Sequence, residues 1–179
     1  MLKTRGRSIA CIDPGLHAGL AIWDSRAWNK KNQCPKIQSC LQSTARTHTY
    51  HRRADEQLSD LMTLLSNHDV AYVFCELPER FEGQRAAAAE AKGSILKLTY
   101  WVGQLAGRCY SQKILFFRVP VRLWKGTLSK ELTTKRIRRI AASNGWLERL
   151  KTQPDILDAV GIGLFLQRNG KATDEVCKS

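Results

Sequence analysis

The sequence lacks the features that mark several common classes of protein. No apolar run approaches the ~18 residues of a membrane span. There is no Cys-x-x-Cys pair and no Gly-x4-Gly-Lys-Ser/Thr run, which argues against the usual zinc ribbons and against a phosphate-loop ATPase. Two cysteines and two histidines between residues 34 and 51 fit no standard zinc finger. The six cysteines lie mostly inside apolar runs, so reduced, buried thiols are expected.

Acidic residues are scarce relative to basic ones. Sixteen Asp and Glu stand against 29 Lys and Arg, a net charge of +13, which suits a polyanionic partner such as nucleic acid or an anionic membrane surface. With 179 residues, 43% of them apolar, we expect a single domain over 1–179 that buries a core without disulfides. Residues 1–7 form a basic leader and 169–179 a frayed tail in this prediction. The leader does not resemble a secretion signal, so a cytoplasmic protein is expected.

The stretch from Ser8 to Asp24 organises the chain. Two short apolar runs flank a turn that contains Pro14 and Gly15, a pattern that predicts strands at about 7–12 and 20–24. Asp13 stands where the first strand ends. A carboxylate at that position is held by a buried scaffold and faces outward, although an Asp-Pro-Gly turn is also common without any further role.

The remaining pattern predicts an α/β domain with a central mixed sheet flanked by helices. A hairpin loop is expected at 29–32, and a buried strand at 70–75 is followed directly by Glu76. Further strands are predicted at 36–42, 47–51 and 113–119. Helices are predicted at 54–67, 84–110, 133–144 and from Pro154 to about 168, with a loop or short helix over 121–134.

Three separate sites carry carboxylates in positions that favour metal binding. Asp13 and Glu76 each end an apolar strand, and Asp155 and Asp158 share a face in the first turn of the last helix. If the two strands are neighbours and the helix packs across their ends, the four carboxylates converge. Mg²⁺ or Mn²⁺ would relieve their repulsion, and two such ions would activate water for in-line attack on a phosphodiester. Taken singly, the helical pair is equally typical of helix-dipole stabilisation.

Together these motifs resemble the RuvC Holliday-junction resolvases of the RNase H-like superfamily. The resemblance rests on Ile-Asp-Pro-Gly at 12–15 with Gly19, the strand ending in Glu76, and Asp-x-x-Asp-Ala at 155–159, and it covers about 8–167. It implies an RNase H-like fold and a homodimer that cuts four-way DNA junctions by paired symmetric nicks. It further implies two Mg²⁺ (or Mn²⁺) per active site, with a catalytic, metal-binding set formed by Asp13, Glu76, Asp155 and Asp158.

The segment Arg-Leu-Trp-Lys-Gly at 122–126 resembles the basic region that contacts junction phosphates in that family, and its Trp-Lys-Gly form is similar to phage-encoded relatives. A nucleoid or a phage-infected host cytoplasm is the implied location. Family members often carry an aromatic residue soon after the glutamate, and here the nearest is Phe81. The predicted DNA contacts are Phe81, Arg122, Lys125, Lys130, Lys135, Arg136, Arg138 and Arg139.

Two alternatives stay open beside a resolvase. One is an RNase H-like nuclease or transposase-type enzyme that acts on another nucleic acid, and the other is a non-catalytic basic binding module. For the dimer, the predicted interface is the helix over 84–110, whose Ala and Gly residues permit close approach while Ile95, Leu98 and Val102 supply apolar area. The same helix would also be expected to pack on its own sheet.

Overall fold

A computed structural model describes residues 7–15, 17–28, 30–42, 49–77 and 94–177. Within these ranges the strands are β1 (Ser8–Asp13), β2 (His17–Trp23), β3 (Ile37–Gln42), β4 (Val70–Leu77) and β5 (Leu115–Pro120). The helices in the described ranges are α1 (Ser25–Trp28), α2 (Tyr50–Asn67), α3 (Ser94–Ser111), α4 (Val121–Trp124), α5 (Lys130–Ser143), α6 (Pro154–Arg168) and α7 (Gly170–Val176), with a 3-10 turn at Leu147–Arg149.

The strands form one mixed sheet in the order β3-β2-β1-β4-β5. The β1–β2 and β2–β3 pairs are antiparallel, whereas β1–β4 and β4–β5 are parallel. A meander followed by two crossovers therefore builds the predicted α/β domain. Because β1 and β4 are parallel neighbours, with Ile12 opposite Cys75, their carboxyl ends lie side by side at one edge of the sheet.

Helices cover both faces of the sheet. The α6 side is packed by Trp23, Phe74 and Ile156, and the opposite side, under α2 and α3, is packed by Ile12 and Trp101. Successive side chains of a strand point to opposite faces, so β1 and β4 must be apolar at almost every position. This explains why they read as continuous hydrophobic runs.

Two predictions of secondary structure are wrong, one at the start of α2 and one in the C-terminal segment. Helix α2 begins at Tyr50, not 54, so the strand predicted over 47–51 is absent at Tyr50 and His51; 47–48 lie outside the described residues. The hydroxyl of Tyr50 donates a 2.6 Å hydrogen bond to the Lys97 carbonyl of α3, a distant contact that extends the helix. The tail is not frayed over 170–176, because Val176 is buried and the Thr173 hydroxyl donates to the Leu166 carbonyl.

The basic helix also begins earlier than predicted, at Lys130 instead of 133. The side chain of Ser129 accepts a hydrogen bond from the backbone N–H of Leu132, which is the usual serine cap at a helix start. Sequence contains this signal, since serine is among the preferred residues at that position. The earlier start matters because it fixes the Lys130 side chain at the carboxyl edge of the sheet.

Candidate metal-binding active site

The first two carboxylates come from the ends of neighbouring strands. Asp13 is the last residue of β1, and Glu76 lies near the end of β4, the strand that runs parallel beside it. After Asp13 the chain turns through Pro14 and Gly15, whose φ of 149° lies where residues with a side chain are rarely found. The chain thus reverses within a few residues and leaves the Asp13 carboxylate at the edge.

The second pair is brought to the same edge by α6, which packs against β2 with almost no separation. A Cβ atom on Gly19 would lie 1.8 Å from the backbone carbonyl oxygen of Asp155, so only glycine permits this contact. In the sheet Gly19 is the register partner of Asp13. One residue therefore fixes the first turn of α6, with Asp155 and Asp158, directly beside the end of β1.

A buried glutamine holds the segment that leads into α6. The Gln38 amide donates to the Arg149 carbonyl at 3.0 Å and accepts from the Lys151 backbone N–H at 2.9 Å. These two bonds tie β3 to the chain just before Pro154. Gln38 was not predicted as a site residue, and its position in a strand with alternating polarity gives no signal of this role.

The four carboxylates interact electrostatically. Burial raises the pKa of Asp13 well above its usual range, and repulsion from Glu76, Asp158 and Asp155 raises it further. Burial also raises the pKa of Glu76, to about 7, and Asp158 adds to this, while Lys125 and a hydrogen bond from Trp124 act in the opposite direction. The four acids therefore lie near enough to one another for their charges to interact.

Two lysines supply the nearest positive charge. Lys125 Nζ lies 3.4 Å from Asp158 Oδ2, and Lys130 Nζ lies 3.4 Å from the same oxygen and 3.7 Å from Asp155 Oδ1. Partial burial lowers the pKa of Lys130, but the attraction of Asp158, Asp13 and Asp155 outweighs it, and the net shift is upward. Both ammonium groups are thus held against the helical pair of acids.

The donor set suits a hard divalent cation. Asp158 is buried, and its Oδ1 has no hydrogen-bond partner among the described residues. A buried carboxylate oxygen without a partner is costly unless a cation or a water molecule contacts it. Among the described residues no three His, Cys, Asp or Glu side chains are grouped to hold an ion as they are oriented. Oxygens of Asp155 and Asp158 are instead engaged by Lys125 and Lys130.

The predicted DNA contacts fall into two groups. Lys125 and Lys130 lie at the carboxylates, whereas the others in the described ranges are exposed on α4 and α5, where Lys135 pairs with Glu131 at 2.8 Å. Phe81 and the start of the predicted 84–110 helix lie outside the described residues. Trp124, which donates to Glu76, was missed as a site residue. Its place directly before Lys125 was the only available signal.

Comparisons with known proteins support the fold. No family model matches the sequence, and no curated protein matches it significantly. Solved structures do match. A Thermus thermophilus RuvC structure is 17% identical, with 91% of this chain and 96% of that chain covered and a TM-score of 0.62. T. thermophilus RuvC in complex with Holliday junction substrate is 12% identical, with 92% and 95% of the two chains covered and a TM-score of 0.61, and the yeast mitochondrial Holliday junction resolvase Ydc2 is 13% identical, with 95% and 82% covered and a TM-score of 0.59.

These similarities establish the architecture. The chain has the RuvC-type, RNase H-like fold that the motif resemblance implied, over more than nine-tenths of its length. Among the described residues, no helix combines the length and apolar character needed to cross a bilayer. At these levels of identity the comparison concerns the fold, and the chemistry has to be argued from the residues themselves.

Proposed function

We propose that this protein is a metal-dependent endonuclease that cleaves four-way DNA junctions by paired nicks. The observation that carries the proposal is the meeting of four carboxylates from β1, β4 and α6 beside two lysines. Two lysines can balance only two of four carboxylate charges, and the oxygen donors of the set suit Mg²⁺ or Mn²⁺. The fold of two T. thermophilus RuvC structures and of Ydc2 supports the same reading.

Asp13, Glu76, Asp155 and Asp158 would hold two ions in this proposal. Bound divalent ions supply a nucleophilic water at neutral pH and neutralise the charge that develops on the phosphate. The chain itself orients the carboxylates through the ends of β1 and β4. Lys125 and Lys130, which lie beside these acids, would face the anionic backbone of the DNA.

The direct test is cleavage of three substrates side by side: a four-way junction, a linear duplex of the same sequence, and an RNA–DNA hybrid. We expect cuts in the junction alone, at symmetry-related positions, and only with Mg²⁺ or Mn²⁺ present. Preferred cleavage of the hybrid would favour an RNase H-like enzyme instead. Tight junction binding with no cleavage in either metal would favour the non-catalytic module.

Phosphate contacts are proposed for Arg122, Lys125, Lys130, Lys135, Arg136, Arg138 and Arg139. All except Lys125 are exposed, and they lie on consecutive elements next to the carboxylates. Each phosphate contact releases counterions, so junction affinity should fall steeply with salt. The alternative for each of these residues is that its side chain lies on a solvated surface and does not contact DNA.

Lys135→Ala is expected to weaken junction binding and to reduce the log–log salt slope by about 0.9, the value for one lost phosphate contact. Its surface pair with Glu131 contributes little to stability, so the fold should be unaffected. The measurement is fluorescence anisotropy at four or five salt concentrations. Lys31→Ala is the matched control, because exposed Lys31 lies in the β2–β3 connection at the opposite edge of the sheet. Equal slopes for both variants would remove Lys135 from the interface.

A symmetric dimer would place one active site on each of two equivalent strands of a junction. Helix α3 has a suitable face that the described residues leave open: Leu96 is 76% exposed and Tyr110 86%, and a Cβ on Gly103 or Gly107 would meet none of their atoms within 4 Å. The spacing of these four residues is that of one helix face. Val102, predicted at the interface, is instead buried against the protein's own sheet, while Ile95 and Leu98 are half-buried.

Gly107→Glu is expected to convert a dimer into a monomer, because two charges would meet where the helices approach each other. Open space around the residue and the better helix propensity of Glu should preserve the fold. Sedimentation velocity at micromolar concentration gives the answer. Gly170→Glu makes the same change at another exposed, uncrowded glycine and should stay dimeric. A wild-type protein that is monomeric both free and on the junction would contradict the model.

A further inference from the structure

Trp124 contacts three parts of the candidate metal site at once. It is the last residue of α4, and only 5% of it is exposed. We propose that Trp124 is a positioning residue, which fixes the Glu76 carboxylate and the helix bearing Asp158 relative to each other so that they bind metal together. The inference rests on the proposed metal-binding function and adds a residue to it.

The first contact is with Glu76. The indole N–H of Trp124 donates to Glu76 Oε2 at 3.0 Å. A hydrogen bond to a carboxylate is stronger than one to a neutral acceptor, so it selects one orientation of the side chain. The indole holds Oε2, which leaves Oε1 available as a metal ligand.

The second contact is with α6. A Cβ on Gly161 would lie 2.6 Å from ring carbon Cζ3 of Trp124, so the indole sits at a depth that only glycine allows. Gly161 follows Asp158 by three residues, which is about one helical turn, and so lies on the same side of α6. The ring therefore acts as a spacer between β4 and the acidic turn of α6.

The third contact is with Lys125, the neighbour that pairs with Asp158. Its Nζ lies 5.2 Å from the centre of the Trp124 ring, a distance at which the π face attracts an ammonium group. Lys125, Glu76 and the α6 backbone are thus all placed by one rigid side chain.

Other tryptophans show what a purely structural indole does in this protein. Trp146 is also 5% exposed, but its N–H donates to the backbone carbonyl of Asn32 at 2.9 Å, and Trp23 donates to the carbonyl of Gln33. Each of these bonds satisfies a buried donor. Trp124 satisfies its donor with an ionisable group of the site, and Trp146 therefore provides a matched control.

The test compares Trp124→Phe with Trp146→Phe by titrating Mn²⁺ into metal-free protein and detecting free Mn²⁺ by electron paramagnetic resonance. Both changes delete one buried indole N–H and keep an aromatic ring. We expect Trp124→Phe to lower Mn²⁺ affinity by roughly 10-fold or more, the usual effect of losing a group that orients a ligand. Trp146→Phe should lose thermal stability but keep wild-type affinity.

A mutant cycle separates positioning from general damage. In a Glu76→Gln background, Trp124→Phe should cause little further loss of Mn²⁺ affinity, because the two residues act on the same ligand. An undiminished loss in that background would overturn the proposal, as would equal affinities for Trp124→Phe and Trp146→Phe. Failure of wild-type protein to bind Mn²⁺ would overturn both this proposal and the metal-binding function.

A measurement without any substitution covers the case in which Trp124→Phe folds poorly. The five tryptophans give five indole N–H signals in a ¹⁵N correlation spectrum. Mg²⁺ should shift the Trp124 signal most, whereas an unchanged Trp124 signal at saturating Mg²⁺ would exclude the proposed contact. If Trp124→Phe lowers Mn²⁺ affinity as expected but the wild-type protein does not cleave a junction, this proposal stands and only the proposed substrate is wrong.

Discussion

Asp13→Asn is expected to abolish junction cleavage while leaving junction binding close to that of the wild type. Repulsion from Glu76, Asp158 and Asp155 raises the pKa of Asp13, so Asp13 lies within electrostatic reach of the other three acids. Bound metal contributes several kcal/mol to stabilising a phosphoryl transition state, and each 1.4 kcal/mol is about tenfold in rate. A loss of roughly 1,000-fold or more should follow. Binding should persist because the basic face is untouched and one negative charge is removed.

Single-turnover cleavage and a gel-shift titration on the same junction separate the two effects. Asp60→Asn is a suitable control, because Asp60 is an exposed carboxylate on α2, remote from the strand ends. It should leave both quantities unchanged. Cleavage by Asp13→Asn at a rate near that of the wild type would mean that Asp13 is not part of the catalytic set.

Glu76→Gln is expected to stabilise the metal-free protein at pH 8. The pKa of Glu76 is raised from its ordinary 4.5 to about 7, chiefly by burial. Between these two values the folded protein holds a proton that the unfolded chain has released, so the free energy of unfolding falls as pH rises through this window. The full cost is present above pH 7 and absent below 4.5. A shift of this size corresponds to roughly 3 kcal/mol.

Thermal unfolding in EDTA at pH 5 and pH 8 measures this effect. For a chain of this length a few kcal/mol amounts to about 5–10 °C, so Glu76→Gln should melt higher than the wild type at pH 8 and nearly equally at pH 5. Mg²⁺ should then raise the melting temperature of the wild type more than that of the variant. Glu148→Gln, at an exposed position, is the control. A wild-type advantage at pH 8 without metal would contradict the prediction.

Sequence periodicity predicted which elements carry the four candidate acids. The apolar runs before Asp13 and Glu76 are continuous because β1 and β4 are covered on both faces, and that burial is what places each acid at a strand end. The Asp155 and Asp158 spacing determines their common face on any helix. These features are local, so the residues alone carry them.

Contacts between elements that are distant in sequence could not be predicted from the sequence. Nothing in the sequence near Trp124 indicates that its indole meets Glu76, because that bond joins residues 48 positions apart through the packing of α4 on α6. Val102 illustrates the same limit on α3: apolar spacing shows that a helix has a buried face, but not which partner buries it. The first turn of α2 similarly depends on Lys97 of another helix.

The contact between Gly19 and Asp155 affects the order in which the protein folds during synthesis. During synthesis the ribosome releases Asp13 and Glu76 long before the helix that carries Asp155 and Asp158, and that helix can dock only against a finished hairpin whose Gly19 is in register with Asp13. The two halves of the acid cluster are therefore kept apart until most of the chain has emerged. A partly made chain already carries most of its basic residues, but it does not yet hold the complete set of acids.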